Sequence, residues 1–192
     1  MQGFDSPDFQ APLDVRSLLD RIPAESTARG ILFGTAVREV QARTGRPLAR
    51  RVYHALLSYP GRELLEVLVE AATLAFPEVP LREGLRRLGH QVFPAVKGTA
   101  AGTFLFSVAG SNVRAALGLT SRAYALFGSH ARAELSAVAD DTVIVELRNV
   151  WSFPDCYHVG IFEGGVSAFG GRATVAVCRH SDCDVDLRIG IG

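Results

Sequence analysis

All three cysteines of this 192-residue chain lie between Val150 and Gly192, together with the single Trp and two of the five His. Cys156 stands at the mouth of an expected helix. Cys178 and Cys183 flank a four-residue turn, Arg179-His180-Ser181-Asp182. Residues so placed in a hairpin pair across its strands, roughly 4.5–5.5 Å apart. With Cys156 heading the helix over that end of the sheet, Cys156, Cys178, His180 and Cys183 form a Cys3His set suited to tetrahedral zinc. His158 is the other imidazole for that set, and Asp182 a weaker ligand. Two alternatives use the same residues: three reduced thiols acting as small hydrophobes, or a Cys178–Cys183 disulfide. The expectation is no resident cofactor, with zinc at those four residues as the alternative.

Nucleophilic chemistry has less to stand on. A helix N-terminus lowers the pKa of a thiol, which favours a thiolate at Cys156. Yet His158, two residues on, falls on another side of the helix and is poorly placed as its base. Asp140 and Asp141 read as turn formers at a hairpin tip rather than as a carboxylate pair. The run GIFEGG lacks both the preceding strand and the following Lys-Ser/Thr of a phosphate loop. The chain is therefore expected not to be an enzyme.

Binding of an apolar small molecule has a clearer basis. Trp151, Phe153, Phe162 and Phe169 can line a hydrophobic pocket, although aromatic residues at a helix entrance also serve as core. Gly160, Gly164 and Ala168 recur at helical spacing. Such a stripe leaves room for a ligand, or lets a neighbouring helix pack close. The expected ligand-binding set is Trp151, Phe153, Gly160, Phe162 and Gly164.

The rest of the chain must position these residues. Its 48% hydrophobic and 21% charged content is that of a globular protein with a core of its own. Zero formal net charge argues against a nucleic-acid partner, which selects a basic face. Arg43, Arg46, Arg50 and Arg51 cluster, and read as a solvated helix face. The N-terminus carries no apolar signal-peptide core, and no apolar run reaches the ~18 residues of a membrane span. An odd cysteine count without a signal fits a reducing cytoplasm.

Residues 1–28 read as an arm with a short helix, Val15–Arg21, capped by Asp14 and stopped before Pro23. A polar linker, Pro23–Gly30, follows. Residues 29–192 read as one α+β domain. Helices are expected at Ile31–Arg43, at Leu48–Leu57 with Pro47 opening it, and over RELLEVLVEAATLAF, whose apolar residues wrap most of the circumference. Another, running from Leu81 to Val96, should kink near Pro94. Short helices follow at Gly98–Gly110, carrying Phe104, Leu105 and Phe106, and at Asn112–Leu119. The period then changes to two, giving a hairpin of Arg132–Ala139 and Thr142–Val150. A helix, Phe153–Phe169, precedes a second hairpin of Ala173–Cys178 and Asp184–Ile189. Two hairpins separated by a helix can join in one four-stranded antiparallel sheet with helices on one face.

The segments RGILFGTAVREVQARTG, LSYPGRELLEVLVEAATLAF and LREGLRRLGHQVFPAV resemble the N-terminal half of haem-NO-binding (H-NOX) domains. The C-terminal stretch is similar to the 4-vinyl reductase domain, in which a Cys precedes a Gly-rich helix and a hairpin carries further metal ligands. The run SAFGGR resembles the same region of phenol-type sensor domains, whose metal set is a carboxylate with three Cys in a similar placement and whose hairpin loop is longer. These families share a fold with TRAPP vesicle-tethering subunits. In length and pattern the chain most resembles a family found as many paralogues in myxobacteria. The resemblance covers about residues 29–190, and it implies a signalling role, sensing a ligand or adapting to a protein partner, and homodimerisation. It stops short of haem. The helix that holds the proximal His in H-NOX domains reads SNVRAALGL here, and VELRNVWSFP lacks the Tyr-x-Ser-x-Arg propionate clamp. Haem iron needs an axial ligand, and His90 is the nearest other candidate. The expected function is a haem-free, non-enzymatic ligand-sensing or protein-interaction domain, alternatively a zinc-stabilised sensor of a hydrophobic or aromatic small molecule.

Overall fold

The computed structural model describes residues 3–48, 50–97, 103, 107, 110, 112–139 and 141–192. The first half is helical: α1 (Val15–Arg21), α2 (Gly30–Thr44), α3 (Gly61–Ala75), α4 (Leu81–His90) and α5 (Val92–Lys97). Two three-residue strands, β1 (Thr27–Arg29) and β2 (Ser58–Pro60), pair antiparallel among them. Then come α6 (Val113–Gly118), α7 (Thr120–Phe127), β3 (Arg132–Val138), β4 (Thr142–Arg148), α8 (Tyr157–Ala168), β5 (Ala173–Arg179) and β6 (Val185–Ile191). The last four strands form one antiparallel sheet in the order β3-β4-β6-β5, the expected α+β architecture.

Periodicity explains the main elements. In β4 the buried residues are Val143, Val145 and Leu147, every second one. In β6 they are Val185, Leu187 and Ile189. Both rows face α8, whose Val159, Phe162 and Val166 complete one core. A second core lies among α2, α3 and α4, and there α8 contributes Tyr157 and Ile161. Thus α8 is buried between the helical half and the sheet, which suits its apolar, charge-poor sequence.

Several local expectations are corrected. Among the described residues of the expected helix Leu48–Leu57, none is helical. The Tyr53 ring stacks on Phe33 at 4.4 Å, Arg50 and Arg51 reach Glu70 and Glu63, and these contacts hold an irregular path into β2. The polar linker contains β1. The loose arm is tied down, because Asp5 and Val177 exchange backbone hydrogen bonds of 3.0 and 2.8 Å. The helix starting at Leu81 breaks at Gln91 instead of bending, as Pro94 crowds the carbonyl four residues earlier, that of His90. Helix α7 carries no sequence-based expectation. The last helix starts at Tyr157, four residues later than expected: Pro154 disfavours a right-handed helical Phe153, which sits at φ 58°, and Pro154–Cys156 form a turn before the helix. Of the expected helix Gly98–Gly110, the described residues are Thr103 and Ser107, both helical, and the turn residue Gly110; Phe104, Leu105 and Phe106, like the turn residue Asp140, lie outside the described residues. Of the clustered arginines, Arg43, Arg50 and Arg51 pair with Glu39, Glu70 and Glu63.

Candidate ligand cavity

A cavity of about 150 Å³ lies where the two cores meet. Ile22 and Ala28 close it on the side of β1, and Leu64 and Leu65 of α3 form its floor. Val92 and Phe93 of α5 and Ala123, Tyr124 and Phe127 of α7 form two further walls. The remaining wall comes from Val150–Ser152 and from His158, Ile161 and Phe162 of α8. Every element thus turns its apolar side inward, and among the described residues the lining holds no Asp, Glu, Lys or Arg.

Polar atoms gather at one place on this wall. The Tyr124 hydroxyl lies 2.5 Å from His158 Nδ1, and the Ser152 hydroxyl 2.8 Å from His158 Nε2. His158 is 7% exposed. Burial therefore pushes its pKa down to about 3 and keeps the ring neutral. Burial likewise raises the Tyr124 hydroxyl well above its usual value, so it stays protonated. Tyr124 and Ser152 escaped the sequence reading. The one available signal was His158 itself, since a His inside an apolar helix must find hydrogen-bonding partners.

This burial predicts an acid sensitivity. The folded His158 pKa lies below its ordinary 6.5, so its neutral form favours folding above that value. As pH falls from about 6.5 towards 3, the unfolded chain takes up a proton that the folded chain refuses. Stability should fall with a limiting slope of about 1.4 kcal/mol per pH unit. Urea denaturation at pH 7 and pH 5 should differ by about 2 kcal/mol from this group alone. His158→Gln should remove that difference from the total, and an unchanged slope in the variant would refute the assignment.

Of the five expected ligand-binding residues, Trp151 and Phe162 line the cavity. The other three do not. Phe153 is 1% exposed within the helical core. Gly160 and Gly164 face α4: a Cβ on Gly160 would lie 1.9 Å from the Arg86 carbonyl oxygen, and one on Gly164 2.3 Å from that of His90. The glycine stripe is a helix crossing. Gly89 of α4 completes it, its Cβ position being 2.0 Å from the Tyr157 oxygen.

The expected Cys3His set is not assembled. Strand β5 runs on to Arg179 and β6 starts at Val185, so the loop is longer than the expected turn and Cys178 pairs with Asp186 instead of Cys183. Cys183 sits in the loop, where its backbone N–H and thiol meet the Ser181 hydroxyl. Cys156 is fully buried, and burial, reinforced by Asp155, raises its thiol pKa, the reverse of the expected helix-terminus effect. Among the described residues the group with ligand atoms within 4.8 Å of one another is Cys178, His180 and Asp186. Asp186 is already engaged there, with Arg148 at 2.7 Å and His180 at 2.8 Å. His158 lies in the cavity wall, bonded to Tyr124 and Ser152.

Solved structures share this fold. An Fe(II) unliganded H-NOX protein from K. algicida is 12% identical, with a TM-score of 0.64 over 85% of this chain and 96% of that one. An oxygen-binding H-NOX domain related to soluble guanylate cyclases, in its oxygen complex, is 16% identical, with a TM-score of 0.64 over 85% and 94%. An H-NOX protein from S. oneidensis in the Fe(II)NO ligation state is 15% identical, with a TM-score of 0.59 over 85% and 99%. No curated protein matches the sequence. No helix among the described residues is long and apolar enough to cross a membrane. The family model described as "Protein of unknown function (DUF2378)" matches residues 21–190, most of the length, and the chain belongs to that family.

Proposed function

We propose that this chain is a haem-free, non-enzymatic cytoplasmic sensor domain that holds a small hydrophobic molecule between its two cores and relays occupancy to a second copy or a protein partner in bacterial signalling. The observation that carries this reading is the apolar cavity between α3, α5, α7 and α8, whose walls belong to both halves of the fold. A ligand there touches the helical core and the sheet core at once. Many myxobacterial paralogues would then be sensors with different linings.

The haem-free part rests on size and ligation. A cavity of 150 Å³ is the size that holds benzene, whereas a porphyrin joins four pyrrole rings in one macrocycle. His158 has both ring nitrogens engaged, and His130 at the rim is exposed. The non-enzymatic part rests on Cys156, buried with its thiol protonated. Protein supplied with haem should show no stoichiometric Soret band, and a one-to-one complex would sink this part of the reading.

Trp151, the single Trp, lines the cavity and reports on it. A panel of monocyclic hydrophobic compounds should include one that shifts its emission. At 100 times its dissociation constant such a ligand should add about 2.7 kcal/mol of stability, or roughly 5–10 °C in Tm. A flat response across aromatic, alicyclic and fatty-acid probes would remove the ligand reading.

A second reading, a protein-interaction domain, is favoured by exposed Val52, Leu56, Leu57 and Leu126. Arg29 donates to the Leu56 and Leu126 carbonyls, which makes those two neighbours. Leu56→Glu should weaken association measured by sedimentation while leaving any Trp151 response intact.

A further inference from the structure

The Tyr124–His158–Ser152 group on the cavity wall has one hydrogen-bond donor more than its internal contacts use. Tyr124, neutral His158 and Ser152 carry one polar hydrogen each, three in all. They make two hydrogen bonds, Tyr124–Nδ1 and Nε2–Ser152. If the Tyr124 hydroxyl donates to Nδ1, then Nε2–H donates to Ser152 and the Ser152 proton is left over. With the other tautomer the Tyr124 proton is left over. In either arrangement one hydroxyl proton remains, and both hydroxyl-bearing residues line the cavity. Thr120, one turn before Tyr124, adds a further hydroxyl to this lining.

From this geometry, and resting on the ligand-binding reading above, we infer that the cavity selects a neutral, ring-sized molecule with one hydrogen-bond acceptor, an aryl or alicyclic ketone, ether or phenol, docked on the Tyr124–His158–Ser152 wall. Size sets the ring: 150 Å³ is the volume of a benzene-binding cavity, short of that needed for a long acyl chain. Charge sets neutrality. Among the described residues the lining offers no Arg or Lys to a carboxylate, and the buried imidazole is held neutral. The leftover proton sets the acceptor, because a part-buried donor facing an apolar cavity gains a hydrogen bond when a ligand oxygen meets it. An apolar isostere makes no such bond.

Titration of the full chain, followed by Trp151 emission, separates these elements. The probes are acetophenone, α-methylstyrene, which replaces its C=O by C=CH2 at nearly the same shape, and benzoate. Acetophenone should bind and benzoate should bind at least 10-fold more weakly. Ser152→Ala or Tyr124→Phe, whichever takes away the hydroxyl that faces the ligand, leaves the spare proton on another atom of the group, displaced from the ligand oxygen, and should weaken acetophenone about 3- to 10-fold. The same variant should change α-methylstyrene less than 2-fold, which also shows that its cavity has formed. Thr120→Val should leave the acetophenone affinity unchanged. If α-methylstyrene binds but neither variant distinguishes the two neutral probes, the donor wall is wrong while the cavity reading stands. Benzoate binding as tightly as acetophenone overturns the neutrality argument, and loss of the preference in Thr120→Val moves the donor elsewhere. If none of the three probes binds the native chain while another member of the wider panel shifts Trp151 emission, this inference falls and the cavity reading stands; a flat response to the whole panel removes both.

Discussion

Gly160→Ala should cost about 3 kcal/mol or more of folding stability, against a substitution that in an ordinary helix gains up to about 1 kcal/mol. The cause is where the methyl group would go. It would lie 1.9 Å from the Arg86 carbonyl oxygen and 2.8 Å from the carbon that bears it. Both are backbone atoms in the middle of α4, so no rotamer change makes room and the two helices must move apart. Gly89 meets Tyr157, and Gly164 meets His90, in the same seam. Separation would therefore strip contacts along the whole crossing. A loss of this size lowers Tm by roughly 6–12 °C. Gly118→Ala is the control, since nothing stands within 4 Å of its added Cβ, and it should be neutral or slightly stabilising. A change of less than 1 kcal/mol in Gly160→Ala would mean that α4 and α8 do not touch backbone to backbone. The variant also bears on binding. Helix α8 brings His158, Ile161 and Phe162 to the cavity, and any ligand response of Trp151 should weaken in parallel.

That seam marks how far sequence reasoning reaches. A glycine stripe reads equally as a gap for a ligand or as the imprint of another helix. Gly89 decides between them, but its place opposite Tyr157 is a tertiary fact. Helix α3 and the inner strand of each hairpin, β4 and β6, were legible because burial repeats along each with the period of its backbone. Helix α7 was not, since TSRAYALF buries only Thr120 and so carries almost no periodic signal. The strands β1 and β2 are three residues each, and their pairing joins segments about thirty residues apart. Strands that short are set by what they meet rather than by propensity. In residues 48–57 the local preference for a helix after Pro47 lost to Tyr53 on Phe33 and to two ion pairs with α3.

The candidate site divides in the same way. Trp151 and Phe162 were legible as aromatic residues around a helix entrance, and the structure puts both on the cavity wall. Tyr124 was not, because the contact that matters spans 34 positions. The cysteine set failed on register. The ladder closes at Arg179 opposite Val185 around a five-residue loop, which leaves Cys183 outside it and sets Asp186 opposite Cys178.

Asp155→Ala should cost about 3–5 kcal/mol, a loss that comes from a charge left behind rather than from a contact removed. Arg82 of α4 has a side chain only 8% exposed, and its Nη1 donates to Asp155 Oδ2 at 2.9 Å. Burial opposes the guanidinium charge, but Asp155 outweighs burial and the pKa is raised above the ordinary arginine value. Arginine cannot escape by losing its proton. Without Asp155 a buried cation would have to draw in water or pull away from its site. Its Nε has no hydrogen-bond partner among the described residues, which leaves Asp155 as its main compensation. The pair fixes the entrance of α8 on α4, two residues before Tyr157. Arg179 of β5 stands 3.7 Å from the same Asp155 oxygen and brings the sheet to that point. Asp155→Asn should cost less than Asp155→Ala, since the amide oxygen still accepts a hydrogen bond. The double variant Arg82→Met/Asp155→Leu removes both charges and fills the space, so it should recover most of the stability lost by Asp155→Ala. Denaturant unfolding of the three variants against the native chain measures this. If Asp155→Ala costs less than 1 kcal/mol, or if the double variant is no more stable than the single one, Arg82 is not held as a buried, singly compensated charge.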